Sequence, residues 1–110
     1  MDLVVAIYDC SFSFPQTEAF GLVSQIRRAA VSVPSNFAEG FGRRSRTEYA
    51  RYILMAIGSL YEVQTQREIA FRPKYLTPEN YAKLETLSRE VGYLLSRLRE
   101  KMLASPAKTP

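Results

Sequence analysis

The side chains best suited to chemistry in this sequence are arginines. Arg27, Arg28, Arg43, Arg44, Arg46 and Arg51 fall between residues 19 and 61, a stretch that holds no lysine and whose acids are Glu39 and Glu48. A guanidinium presents a planar fork of donors that grips carboxylate or phosphate at two points, which a lysine ammonium does not. Arg28, Ser32, Ser35, Asn36, Glu39 and Arg43 recur at three- and four-residue steps, so on a helix they form one polar ridge. Short hydroxyl and amide side chains on such a ridge have two uses. They satisfy backbone carbonyls and neighbouring charges inside the protein, or they face a ligand. The run Gly42-Arg43-Arg44-Ser45-Arg46 concentrates three of the arginines just before a helix start, where free backbone N–H groups also favour phosphate.

Other chemistry is thinly supplied. The 110 residues include no histidine, no tryptophan and one cysteine, Cys10. Without histidine the commonest general acid–base group and the commonest metal ligand are both missing. Histidine-containing zinc sites, Ser-His-Asp triads and Glu-x-x-His di-iron sites are excluded with it. A single cysteine forms no internal disulfide. Carboxylates can do acid–base work alone, so an enzyme would have to work through Glu39 beside Arg28, or Glu62 on the facing helix. Nothing resembles a nucleophile elbow, a phosphate loop or a metal cluster. The expectation is a protein with no enzymatic activity, no metal and no cofactor.

The elements that must position these residues are helical throughout. Leu3, Ile7 and Ser11 line one stripe, with Val4 and Tyr8 beside it, which predicts a short helix from Asp2 to about Phe12. It starts without a cap, as though part-way into a longer helix. Leu22, Ile26, Ala29, Ala30, Val33, Phe37 and Phe41 predict a second helix from about Thr17 to Gly42, closed by Gly40 and Gly42. Pro34 lies inside it, removes the donor to the Ala30 carbonyl and predicts a kink. Ser45-Arg46-Thr47-Glu48 has the form of a capping box opening a third helix, whose inner face is Tyr49, Tyr52, Ile53, Ala56, Leu60 and Val63 and which ends near Phe71. Thr77-Pro78-Glu79 opens a fourth, with Leu84, Leu87, Val91, Leu94, Leu98 and Met102 as its seam. The fold class is therefore all-α, an antiparallel up-down-up-down four-helix bundle with a kinked second helix. It forms one domain over residues 1–104, followed by a frayed, disordered tail over 105–110.

The net charge of +4 is uneven, with −3 over residues 1–18, +4 over 19–61 and +3 beyond. The apolar stretch Leu3–Tyr8 is too short and lacks the basic flank of a secretory signal, and no run approaches a membrane span, so a cytoplasmic protein is expected.

The block from Gln25 to Gly40, with Gly42-Arg43, Ser45, Glu48-Tyr49, Ala56 to Leu60 and Glu62, closely resembles the "four helix bundle protein" family, also called the 23S rRNA-intervening-sequence protein family. The motif positions are Gln25, Arg27, Arg28, Ser32, Pro34, Asn36, Glu39, Gly40 and Arg43. The likeness weakens after Ala70. The family's Trp-containing start is absent, and Phe71-Arg72-Pro73-Lys74-Tyr75-Leu76 stands where relatives have a Leu-Gly-Tyr type turn. The resemblance implies a cytosolic bundle that assembles as a homo-oligomer, typically a pentameric ring, without catalysis. It also implies likeness to the basic accessory subunit that works with a reverse transcriptase in diversity-generating retroelements. Two functions follow as expectations. One is RNA or DNA binding through Arg27, Arg28, Arg43, Arg44 and Arg46. The other is a protein-partner scaffold in which Gln25, Ser32, Pro34, Asn36, Glu39 and Gly40 shape an interface.

Overall fold

The structure, a computed structural model, describes residues 1–104, so the expected tail at 105–110 lies outside the described residues. Within these residues there are four α-helices and no strand: α1 Asp2–Ser11, α2 Leu22–Phe41, α3 Arg46–Phe71 and α4 Pro78–Leu103. α2 packs on α3, α3 on α4, and α1 on both α2 and α4, while α1 does not touch α3 and α2 does not touch α4 among the described residues. The contacts thus run round the helices in chain order, with α4 closing back on α1. The body is elongated, 57 × 24 × 18 Å.

Local chemistry explains most of the boundaries. Ser45 is extended, and its Oγ accepts from the Glu48 N–H at 3.2 Å. Thr77 does the same for Asn80 at 3.1 Å, with Pro78 in the first helical turn, where its missing N–H costs nothing. The expected start of α2 at Thr17 needs correction. Residues Gln16–Glu18 form a separate 3-10 turn, and Gly21 breaks the path before Leu22 with φ −106° and ψ −103°. The Glu18 carboxylate then accepts from the Leu22 N–H at 3.3 Å, satisfying one of the helix's orphan donors. α2 continues as a single helix through Pro34.

The core runs along the seam of all four helices. Ile7, Ile26, Ala30, Ile53, Ala56, Leu60, Val63 and Leu84 are almost completely buried. Two predicted core positions face out instead. Leu94 is exposed and Leu95 takes its place, because a helix advances 100° per residue and only one of two adjacent leucines can face inward. Phe41 is also exposed, and only its ring edge meets Tyr49, with centroids 6.0 Å apart.

Gly40 has a different role from the expected terminator. It lies inside α2, buried, and a Cβ there would stand 2.6 Å from the Tyr52 Cβ and 3.0 Å from the Tyr49 ring. α2 can approach α3 this closely only without a side chain at residue 40. Gly40→Ala is expected to lower stability by about 1–3 kcal/mol, because the clash is with atoms close to the facing backbone. A denaturant titration measures it. Cys10 is buried, and burial pushes its thiol above the usual range. Alkylation at pH 8 should therefore be slow for the native chain and accelerate in step with unfolding.

Candidate nucleic-acid interface

The four residues between α2 and α3 bring a group of guanidiniums together. Arg43 Nη2 donates to the Tyr52 hydroxyl at 2.7 Å and to the Glu39 carboxylate at 3.3 Å, and its guanidinium lies 4.8 Å from the Tyr52 ring centroid. Arg51 lies 4.8 Å from the same centroid and binds Glu48 through two nitrogens, at 3.1 and 3.3 Å. Glu48 thus completes only half of the expected capping box. Its amide is capped by Ser45, but its carboxylate turns to Arg51, whose hydrogen bond and charge hold the carboxyl below the usual carboxylate range. Tyr49, packed behind them, has its phenol raised by burial.

Arg44 and Arg46 differ sharply although both are exposed. Arg44 makes no hydrogen bond or ion pair among the described residues. Arg46 reaches the far end of α4, where Nη2 donates to the Lys101 carbonyl and Nε to the Met102 carbonyl at 3.3 Å. It caps the carboxyl end of that helix, where cations are favoured by the free carbonyls and the helix dipole.

Arg27 and Arg28 are not part of this group, since fifteen residues of helix place them about 22 Å away. Arg27 ties α2 to α1. Its Nε donates to Ser11 Oγ at 2.8 Å and its guanidinium lies 4.6 Å from the Tyr8 ring centroid.

The polar ridge of α2 is partly internal. Ser32 Oγ and Ser59 Oγ share a hydrogen bond at 2.8 Å across to α3, and Asn36 Nδ2 donates to both the Ser32 carbonyl and its Oγ at 2.9 Å. Glu39 pairs with Arg43 rather than Arg28. Gln25 and Arg28 instead line a groove of about 310 Å³ with Ser32 and Ala29 of α2 and with Ser59, Glu62 and Gln66 of α3. Gln66 Oε1 is itself shut off from solvent and has no hydrogen-bond partner among the described residues.

One buried charge lay outside the sequence-based expectations. Arg67 is nearly buried between α3 and α4, donating to the Tyr81 carbonyl at 3.2 Å, lying 4.2 Å from the Tyr81 ring centroid and 3.8 Å from the Glu85 carboxylate. The signal was present, because residue 67 continues the core steps Ile53, Ala56, Leu60 and Val63.

The contrast between the two arginines of the turn is testable. Arg46→Ala is expected to cost about 0.3–1 kcal/mol at low salt through loss of the α4 cap. Arg44→Ala should leave stability unchanged, and thermal unfolding of the two variants side by side distinguishes them.

The comparisons with known proteins agree with this architecture. No curated protein matches the chain. A crystal structure of a protein of unknown function from the S23 ribosomal protein family of Bacteroides thetaiotaomicron VPI-5482 superposes with a TM-score of 0.76. It is 24% identical, and the match covers 87% of each chain, a likeness that establishes the shared fold. The sequence matches the 23S rRNA-intervening sequence protein family over residues 1–97, and the chain belongs to that family.

Proposed function

We propose that this protein is a non-enzymatic assembly module that works in the cytoplasm and binds RNA through arginine-rich surface. In this reading residues 1–104 form one up-down-up-down bundle, bent in α2 at Pro34. Copies of it join as a ring, a pentamer by the family resemblance.

The observation that carries RNA binding is the cluster of four exposed arginines, Arg43, Arg44, Arg46 and Arg51, around the α2–α3 turn, where the nearby acids are Glu39 and Glu48. Stacking of two guanidiniums on Tyr52 holds the cluster in a fixed arrangement, which lowers the conformational entropy lost on docking to phosphates. Repeated around a ring, a modest patch becomes multivalent.

Assembly is supported by two apolar stripes on helices that do not touch each other among the described residues. Met1, Val5, Tyr8 and Phe12 lie exposed along α1, and Leu54, Tyr61 and Ile69 along α3, with Gly58 between them. A Cβ at Gly58 would meet nothing within 4 Å, so no packing among the described residues accounts for a glycine in mid-helix. Two different apolar surfaces suit a head-to-tail contact, the kind that closes into rings.

A second reading, a scaffold for a protein partner such as a reverse transcriptase, is favoured by Phe20, which is fully exposed beside the α2 start. Titration of single-stranded RNA at several salt concentrations separates the two. An RNA-binding module loses affinity as salt rises, and replacing both Arg43 and Arg44 by alanine should flatten the log–log slope by about 1.4 for each protomer engaged. Indifference to salt and to the double change favours the scaffold. For assembly, Tyr61→Glu with Ile69→Glu should reduce the mass seen by light scattering to that of a single 12.5 kDa chain.

A further inference from the structure

The groove between α2 and α3 is not used by the arginine turn, and its chemistry is specific. Arg28 offers a fork of donors on one wall, and Glu62 offers a carboxylate on the other. Among the described residues neither has an ion-pair partner, although they line the same groove. Gln66 follows Glu62 one helical turn on along the same wall. Gln25 adds a carboxamide at the rim, and the Ser32–Ser59 hydrogen bond closes one side.

An occupant that pairs with both Arg28 and Glu62 must present acceptors on one edge and two adjacent donors on another. We propose that the groove takes a guanine base. Guanine presents O6 and N7 as a pair of acceptors, to which arginine binds with two hydrogen bonds. Its N1–H and N2 amino group are adjacent donors that match the two oxygens of the Glu62 carboxylate. Adenine, cytosine and uracil lack that pair of donors beside that pair of acceptors. A purine also fits comfortably within about 310 Å³. Unpaired RNA bases are read in this way, splayed out and hydrogen-bonded on two edges. The base could come as a free nucleotide or within a single strand, and the RNA reading proposed above bears only on that source.

The test uses the full chain with guanosine monophosphate and with short single-stranded RNAs that differ at one central base, guanine, inosine or adenine. The guanine strand should bind about tenfold more tightly than the other two, inosine failing because it lacks the N2 amino group. Glu62→Gln, an exposed position whose change leaves the core intact, should bring the three strands within about twofold while the salt slope stays as in the wild type. Equal binding of all three strands by the wild type overturns the guanine site and leaves RNA binding standing. If no strand binds but guanosine monophosphate shifts the Gln66 side-chain amide resonances, the base site stands and the RNA reading falls. If neither binds, or a free amino acid occupies the groove in place of the nucleotide, the guanine site is wrong.

Discussion

Gly40 of α2 faces Tyr52 of α3 with no room between them for a further carbon, and the geometry of the arginine turn depends on that contact. A side chain at residue 40 would force the two helices to shift, because its Cβ would fall 2.6 Å from that of Tyr52. The same pair of helices is lined further along by Ala29, Ala30, Ala56 and Ser59, all small and buried. Small residues let backbones approach, and the approach allows Ser32 to reach Ser59 with a 2.8 Å hydrogen bond. Because the helices are close at this end, four residues suffice to join them. Tyr52 then sits where Arg43 can stack on its ring and hydrogen-bond its hydroxyl. Any change that spread α2 from α3 would move the guanidinium cluster with it.

The arginines divide according to what the packing asks of them. Arg46 closes a helix end 55 residues away in sequence, Arg27 fastens α1, and Arg67 fills a nearly buried site between α3 and α4. Each of these guanidiniums donates at least one hydrogen bond to another helix or its end. Arg43 and Arg51 are intermediate, each holding one carboxylate yet remaining exposed. Arg28 and Arg44 are uncommitted among the described residues. The surface available for two-point binding of phosphate is thus smaller than the composition suggests. The electrostatic potential is less reduced, since a carbonyl partner such as those of Arg46 leaves the positive charge uncancelled.

What was legible in the sequence follows from how locally each feature is determined. The starts of α3 and α4 could be read because Ser45 and Thr77 cap amides three residues on, within one turn of chain. The number of helices and most of the core followed from periodicity. The break before Leu22 was not legible, because the apolar series itself begins at Leu22 and says nothing of the backbone at Gly21. Gly40 could be noticed but not interpreted, since its role depends on Tyr52 of another helix. Arg67 was overlooked for a related reason. A search for apolar periodicity passes over a charged residue, and only the Tyr81 ring and carbonyl on α4 make that position tolerable for a guanidinium. At the site, the spacing of Arg28, Ser32, Asn36, Glu39 and Arg43 marks a polar ridge on α2. Its division into internal hydrogen bonds at Ser32 and Asn36 and an open groove at Gln25 and Arg28 depends on which α3 residues lie opposite.

The elongated shape bears on assembly. A small chain drawn out to 57 Å encloses less core for its surface than a compact one, and the remaining apolar residues appear on its flanks. α1 is the extreme case. Leu3, Ala6, Ile7 and Cys10 face the core, while Met1, Val5, Tyr8 and Phe12 face outward, so the helix is apolar on two sides. Helices apolar all round are normally buried. A neighbouring copy laid on the outer side of α1 would enclose Tyr8 together with the Arg27 guanidinium over its ring. Arg27 would then act at a subunit contact, as Arg46 acts within the chain. Arg43 and Arg44, at the other end of α2, would remain in solvent. On the proposed reading, a subunit contact at α1 would lie near Arg27, at the opposite end of α2 from the arginine turn.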